Sequence, residues 1–541
     1  MKKENILLWG LVLLFAVLMS LPFLVPNTGF LALIGFIPLL CMERIASALG
    51  KKRIWIYHYS AFVLWNAFTT FWVCNATFGG GLFAIFANAL QMSLIFGLFR
   101  ISKRKFSGAL PYIFLAMTWI AWERFYFDAE ISWPWLVLGN SFARTTWAIQ
   151  WYEYTGHLGG SLWTWACNLG IFGLMVSLSD GSWWYLNIKA KAAVIAGLLL
   201  LFIVPPVASS TIGSRYEDAM DTDDRLDVLI VQPNIDPYNK FQAMTQDQQN
   251  AILEGMIRNE LKGRMADSCT TPLLVVAPET FTGDIICGDY PRSRTWRRFT
   301  SFLKDYPGVN MLFGASSYEY INTDKAPSHT ARYIREGLWL ETHNSALMTD
   351  GTSRTEIFHK SKLVVAVEQT PYPAIFCKLD DLLGGVMGRC VGQDEISLLH
   401  VNGEEESIPV GCAVCYESIY GDYYTDYIRK GAKAMTIITN DAWWGNTPGY
   451  KQHLSYASLR AIETRRAIAR CANTGISAII SPSGKIIKPT PWWEQASINS
   501  YIPLRNDLTF YVIHGDITGR VCSFLFCLLL LALVVRFATK R

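Results

Sequence analysis

Apolar and polar positions change their rhythm along this chain near residue 210. Before it, long runs with almost no charge follow one another at 5–25, 29–42, 55–75, 80–99, 110–122, 158–179 and 192–209, and one more lies at 521–535. A helix needs about 20 apolar residues to cross a bilayer, so the pattern predicts eight spans. The runs at 29–42 and 110–122 are short, which points to tilted or re-entrant segments. The first run follows Lys2 and Lys3 as a signal peptide would, but it is long for one and lacks a clear small-residue cleavage site.

Between 210 and 520 the pattern is that of a different kind of protein. Short apolar, β-branched runs bounded by Gly, Pro, Asn or Asp predict buried strands at 227–234, 272–279, 310–318, 344–350, 408–417, 434–441 and 476–484. Helical stretches at 245–264, 291–305, 422–431 and 450–472 lie between them. Such alternation predicts an α/β domain with both sheet faces covered. The expected organisation is a bundle over 1–209 with seven spans, an exterior domain over 210–520, and a last helix with a basic tail over 521–541.

Composition agrees with a membrane protein. Of 541 residues, 51% are hydrophobic and only 17% charged, against roughly 25% in soluble chains, and the mean hydropathy is +0.21. The formal charge of +4 is too slight to suggest a nucleic-acid partner. Basic clusters orient the spans. Lys2/Lys3, Arg44/Lys51/Lys52/Arg53, Arg100/Lys103/Arg104/Lys105, Lys189/Lys191 and Arg536/Lys540/Arg541 fall on one side if there are eight crossings, and that side is cytoplasmic. Both termini are then cytoplasmic and 210–520 lies outside.

An exterior domain permits disulfides, and its seven cysteines leave at least one thiol over. Cys377 with Cys390 and Cys269 with Cys287 are candidate local bridges, though spacing alone does not fix the connectivity. Cys412 and Cys415 are spaced as a CxxC, but no second pair or neighbouring histidines support a metal site, so Cys412 reads as a buried apolar thiol. His343 and His359 carry no ligand spacing and read as structural, and Glu123-Arg124 as an interfacial pair.

Catalytic groups of α/β domains sit where strands deliver their last residues to loops. Glu279 closes PLLVVAPE, Lys360 lies in EIFHKSKLV, and Cys415 lies in GCAVCYES. A carboxylate, an ammonium and a thiol suffice for acyl transfer: the carboxylate takes the thiol proton, the thiolate attacks a carbonyl, and the cation steadies the oxyanion.

APET (277–280), HKSKL (359–363) and CYES (415–418) resemble the Glu, Lys and Cys motifs of the nitrilase superfamily. With NDAWWG (440–445), SWPWLVLGNS (132–141) and the flanking spans, almost the whole chain is similar to the apolipoprotein N-acyltransferases, a membrane-embedded branch of it. The resemblance implies an αββα sandwich inserted between transmembrane helices. It implies Glu279 as general base, Lys360 as oxyanion stabiliser and Cys415 as acylated nucleophile, with Glu368, Tyr416 and Glu417 in support. Where the family has Pro-Phe-Gly before its second glutamate, this chain has Val365-Ala366-Val367 before Glu368. Lys362 is the rival lysine, but only Lys360 stands eight residues before Glu368. Trp443 and Trp444 are candidates for lipid contact, since Trp suits apolar–polar boundaries.

By the same resemblance, a phospholipid donates the acyl chain and a diacylglyceryl-modified apolipoprotein accepts it. The expected setting is the bacterial inner membrane, with the catalytic domain periplasmic, no metal or other cofactor, and a monomer. The competing readings are a membrane-tethered amidase, with water as acceptor, and a non-enzymatic receptor or transporter.

Overall fold

The computed structural model describes residues 2–238, 240, 243–262, 272–382, 387–403 and 407–539. The chain divides into two compact units. One comprises Met1–Tyr216, Asn446–Leu459 and His514–Arg541, and the other Glu217–Gly445 and Arg460–Ile513.

The first unit is helical, and helices fall on all eight predicted runs. Among the described residues six stretches are long and apolar enough to cross a membrane: Lys3–Leu24, Gly29–Ala48, Phe78–Ser102, Tyr152–Ser179, Ile188–Tyr216 and Ile517–Ala538. The other two, Ile54–Thr70 and Leu110–Asp128, are helices of 17 and 19 residues. Their buried polar groups, Asn66, Thr69 and Thr70 in one and Thr118 and Glu123 in the other, lower their hydropathy. The short run at 29–42 is broken rather than straight: a turn and a four-residue helix precede Ile37–Ala48. At the break the Asn168 side chain donates to the Ala32 carbonyl (2.8 Å) and accepts from the Phe36 amide (2.8 Å). Irregular backbone at membrane depth requires such internal partners.

The Pro134–Phe142 segment is treated the same way. The Leu138 amide donates to Glu123 Oε1 (2.8 Å), the Gly139 amide to Ser161 Oγ (3.0 Å), and Trp135 Nε1 to Gln452 Oε1 (2.6 Å). A Cβ at Gly139 would lie 1.8 Å from the His157 carbonyl oxygen, so only glycine fits there. The Glu123-Arg124 reading is corrected by these contacts. Glu123 is fully buried as the acceptor for this loop, whereas Arg124 faces Asp516 at 3.6 Å. Adjacent residues on a helix point about 100° apart, so the two do not meet.

The second unit is built on fourteen strands among the described residues. They are β1 (Arg225–Gln232), β2 (Leu273–Val276), β3 (Thr282–Ile286), β4 (Val309–Asn322), β5 (Arg332–Arg335), β6 (Leu338–Asp350), β7 (Thr355–His359), β8 (Leu399–Asn402), β9 (Ser407–Val414), β10 (Ala434–Thr439), β11 (Ile468–Ala472), β12 (Ala478–Ile480), β13 (Ile486–Ile487) and β14 (Ala496–Pro503). One sheet runs β14-β1-β2-β4-β6-β5, with β3 on β4 and β7 on β6, and the other runs β13-β12-β11-β10-β9-β8. Parallel pairs occupy the middle of each, β1-β2-β4 in one and β9-β10-β11 in the other. Leu229, Val231, Val275 and Phe313 pack against helices Gln246–Glu260 and Arg294–Leu303 through Leu253, Ile257, Phe299 and Leu303. Alternation sends the intervening side chains of β1, Val228 and Ile230, to the opposite, equally buried face. This is the expected α/β sandwich with mixed sheets.

The predicted helix at 450–472 is two elements. Helix Pro448–Thr464 ends where Arg465 takes φ +52°, and β11 follows, paired with β10 and β12. From Gln452 to Ala472 polar and apolar residues alike are buried, so the stretch carries no period with which to tell helix from strand.

Candidate active site

The central strands of both sheets end at one group of side chains. Beyond β2 the chain continues as Ala277-Pro278-Glu279, held on β4 by Ala277 N–H to the Leu312 carbonyl (2.8 Å) and Gly314 N–H to the Pro278 carbonyl (3.0 Å). Thr280 then turns the chain at φ +45°. Glu279 Oε1 accepts from Lys360 Nζ (3.2 Å) and Asn344 Nδ2 (2.8 Å), and Oε2 from the Asn440 amide (3.1 Å). A carboxylate has about four lone-pair sites. Three protein donors therefore leave it room for one more proton.

The close approach of β4 to Glu279 allows a test that leaves every polar group in place. A Cβ on Gly314 would meet Glu279 Cα and Thr280 N at 2.5 Å, both backbone atoms. Gly314→Ala is expected to shift the carboxylate and to slow acyl transfer by roughly 10²-fold, the cost of about 1 Å of misplacement. Wild-type rates from a folded Gly314→Ala protein would refute the placement.

Lys360 follows β7 directly, and its amide bonds the Asn344 carbonyl (2.8 Å). Its ammonium, 1% exposed, lies between Glu279 and Glu368, 2.9 Å from Glu368 Oε2. Burial alone would discharge it, but the two carboxylates outweigh burial and hold its pKa well above the ordinary lysine value. Glu368 also accepts from Asn344 Nδ2 (2.6 Å) and the Val364 amide (2.8 Å). The changed Val365-Ala366-Val367 segment thus still delivers the glutamate, with Ala366 at φ +65°. The rival Lys362 goes elsewhere, its ammonium over the rings of Tyr420 and Tyr423.

Cys415 ends β9 in a tight turn at φ +52°, a conformation costing about 1–3 kcal/mol in a residue with a side chain. The turn is held by Glu417, fully buried, which accepts from the Val414 amide (2.7 Å), the Ser361 amide (2.6 Å), the Lys362 amide (3.2 Å) and Tyr423 Oη (2.7 Å). One carboxylate thereby ties the Cys415 turn to the Lys360 loop. Its own pKa is raised by burial, against the pull of those donors. Tyr416 packs edge-on against Tyr420, with ring centroids 5.3 Å apart.

Parallel pairing of Ile438 with Val414 brings the end of β10 beside Cys415. There the buried Asp441 bonds Arg470 (2.7 Å) and Thr439 (2.8 Å). Burial, then the Glu279 charge, pushes the Cys415 thiol well above its ordinary pKa, while Lys360 pulls the other way. The half-buried Cys415 is therefore a thiol at rest, and attack requires a base.

Trp443 and Trp444 lie in the turn after β10. Trp443 is exposed and stacks edge-on with exposed Tyr238 at 5.3 Å. Cys412 lies inside β9, where burial pushes its thiol up to about 12. The Cys377–Cys390 pairing is corrected, for both are unbridged thiols. The Cys390 amide is committed to the Glu368 carbonyl (2.8 Å), whereas Cys377 is buried in helix Pro373–Leu382. Cys269 lies outside the described residues.

Three polar groups of the site escaped the sequence reading. Asn344 sat inside a predicted strand, and its position two residues after an acidic-polar pair carries no motif. Asp441 was visible only as a flank of the tryptophans. Lys240 donates to the Thr280 carbonyl, and burial lowers its pKa to about 8 against the Glu279 charge.

Comparison with known proteins agrees with the two halves of this description. The carbon–nitrogen hydrolase family model matches residues 333–504, and the model for the N-terminal domain of apolipoprotein N-acyltransferases matches 15–170. An apolipoprotein N-acyltransferase of Chlorobaculum tepidum is 26% identical over 520 residues, covering 94% of this chain and 92% of its own. The chain belongs to the apolipoprotein N-acyltransferase family. A relative of that name from Allorhizobium ampelinum is 31% identical over 267 residues, 48% of this chain and 45% of its own. Among solved structures, a branch 10 nitrilase-superfamily protein of Saccharomyces cerevisiae aligns at TM-score 0.36 and 13% identity, covering 55% of this chain and 97% of that one.

Proposed function

We propose that this multi-pass membrane protein is an N-acyltransferase of lipoprotein maturation that works through a thioester on Cys415. Glu279 accepts the Cys415 proton as sulfur attacks the ester carbonyl of a phospholipid. The tetrahedral oxyanion forms near the Lys360 ammonium, and its collapse expels the lysophospholipid, whose departing oxygen takes the proton back from Glu279. The free α-amine of an S-diacylglyceryl cysteine then attacks the thioester, its proton passing to Glu279 and on to the Cys415 sulfur as the C–S bond breaks, and an amide replaces the thioester. Glu368 and Asn344 hold Lys360 and Glu279 in register, Glu417 and Tyr416 shape the nucleophile turn, and Trp443 and Trp444 contact lipid. The protein acts as a monomer, and the acyl-transfer steps themselves use no metal or other cofactor.

The observation that carries this reading is a buried ammonium held between two carboxylates, at the mouth of the strands that end in a strained cysteine. Mass spectrometry of a lipoprotein N-terminus is the deciding experiment. A third acyl chain is expected with the protein and none without it. Released fatty acid with an unchanged lipoprotein would instead identify a hydrolase.

The topology belongs to the same proposal: residues 1–209 and 521–541 in the inner membrane, 210–520 periplasmic, both termini cytoplasmic. It rests on the five basic clusters sharing one side under eight crossings. A reporter fused after Arg541 is expected to read as cytoplasmic and one inserted near Thr222 as periplasmic. Both on one side would refute eight spans.

A further inference from the structure

Outside the catalytic group, the outer half of the β4–β6 pair gathers three lone-pair donors on one face. Glu319 and Glu341 are direct cross-strand partners, and His343 stands diagonal to Glu319, opposite Ser317. Two carboxylates in that relation repel. Glu341 is 8% and His343 5% exposed, so water reaches this face mainly from the Glu319 side.

The histidine ring fixes what is missing. His343 Nδ1 lies 2.9 Å from the Val391 carbonyl, which can only accept, so Nδ1 carries the proton and Nε2 of the neutral ring a lone pair. That buried Nε2 has no hydrogen-bond partner, and it points toward Glu319 Oε2 at 3.5 Å. Ligand atoms of all three residues lie within 4.8 Å of one another. Around a tetrahedral zinc, with bonds of about 2.0–2.2 Å, ligand atoms stand roughly 3.4 Å apart. Small side-chain rotations cover that difference. Metal-bound histidines commonly give their other ring N–H to a backbone carbonyl, the arrangement His343 has with Val391.

We propose that Glu319, Glu341 and His343 bind a first-row divalent cation, best matched by Zn2+, which clamps β4 to β6. One imidazole nitrogen and two carboxylate oxygens suit zinc or manganese better than magnesium, and a water completes the coordination. The clamp has a consequence for the catalytic group. His343 is followed directly by Asn344, whose amide holds both Glu279 and Glu368, so fixing one fixes the other. Sequence spacing conceals the site because its two carboxylates come from neighbouring strands.

The test uses the full chain in detergent, in the Cys415→Ala background so that the catalytic thiol does not compete for metal. After chelation and removal of the chelator, Zn2+ is titrated with elemental analysis, and Mn2+ with paramagnetic resonance. One zinc per chain is expected in the parent. Glu319→Gln, at a side chain 46% exposed and so tolerant of change, should weaken binding at least tenfold, and His343→Gln should abolish it. If His343→Gln does not fold, Glu319→Gln decides alone. No stoichiometric zinc in the parent would overturn the proposal and leave an imidazolium between two carboxylates. Variants that bind as the parent does would overturn it equally.

Discussion

Cys415→Ala protein is expected to take up no acyl label from phospholipid, whereas the wild type, denied an acceptor, accumulates label that hydroxylamine releases. The loss should be complete rather than partial. No other described thiol has the same setting: Cys412 and Cys471 are buried inside strands, with pKa values pushed up to about 12 in the first and further in the second. Among the described cysteines Cys415 alone takes a positive φ, and it alone follows a strand end beside both Glu279 and Lys360. A thioester should accumulate without acceptor because the second step needs an amine. Label on a different residue, or full transfer by folded Cys415→Ala protein, would sink the mechanism.

Glu279→Gln is expected to slow transfer by about 10²–10⁴-fold, the usual contribution of a general base. The amide oxygen can still accept from Lys360 and Asn344, so the change removes the proton acceptor more than the architecture. A second measurement separates base from scaffold. The Glu279 charge raises the Cys415 pKa and the Lys360 charge lowers it. Removing the carboxylate should therefore increase the thiolate fraction at a given pH, and removing the ammonium should decrease it. Alkylation of Cys415 by iodoacetamide near pH 8 should be faster in Glu279→Gln and slower in Lys360→Ala, although both lose transfer. Alkylation moving the same way in both, or unimpaired transfer in Glu279→Gln, would refute these roles.

The resemblance located the candidate residues, but not how they are held. Glu368 illustrates the difference. Its motif departs from the family pattern, yet the side chain reaches Lys360 because Ala366 turns at positive φ and the Val364 amide bonds Glu368. Glu417 was identified as the second residue after the nucleophile. Its four donors come from three segments of chain, and that is a property of packing.

Elements were legible in proportion to how far their burial was periodic. The eight apolar runs and the central strands β1, β2, β4, β9 and β10 carried local signals. The polar edge strand β5, with sequence RYIR, and β11, hidden in a run buried on all sides, did not. By itself the sequence determined where the chain is apolar enough for lipid, where an α/β domain interrupts it, and which carboxylate, lysine and thiol close its motifs. Hydropathy and strand-forming preference act over a few neighbouring residues, so they can be read in one dimension. Only the tertiary structure decided that Asn344 bridges Glu279 and Glu368, that Glu123 serves a buried loop instead of pairing with Arg124, and that His343 meets two glutamates. Each of these depends on groups from separate elements filling one another's hydrogen-bonding or charge requirements, and such complementarity exists only once the chain has folded.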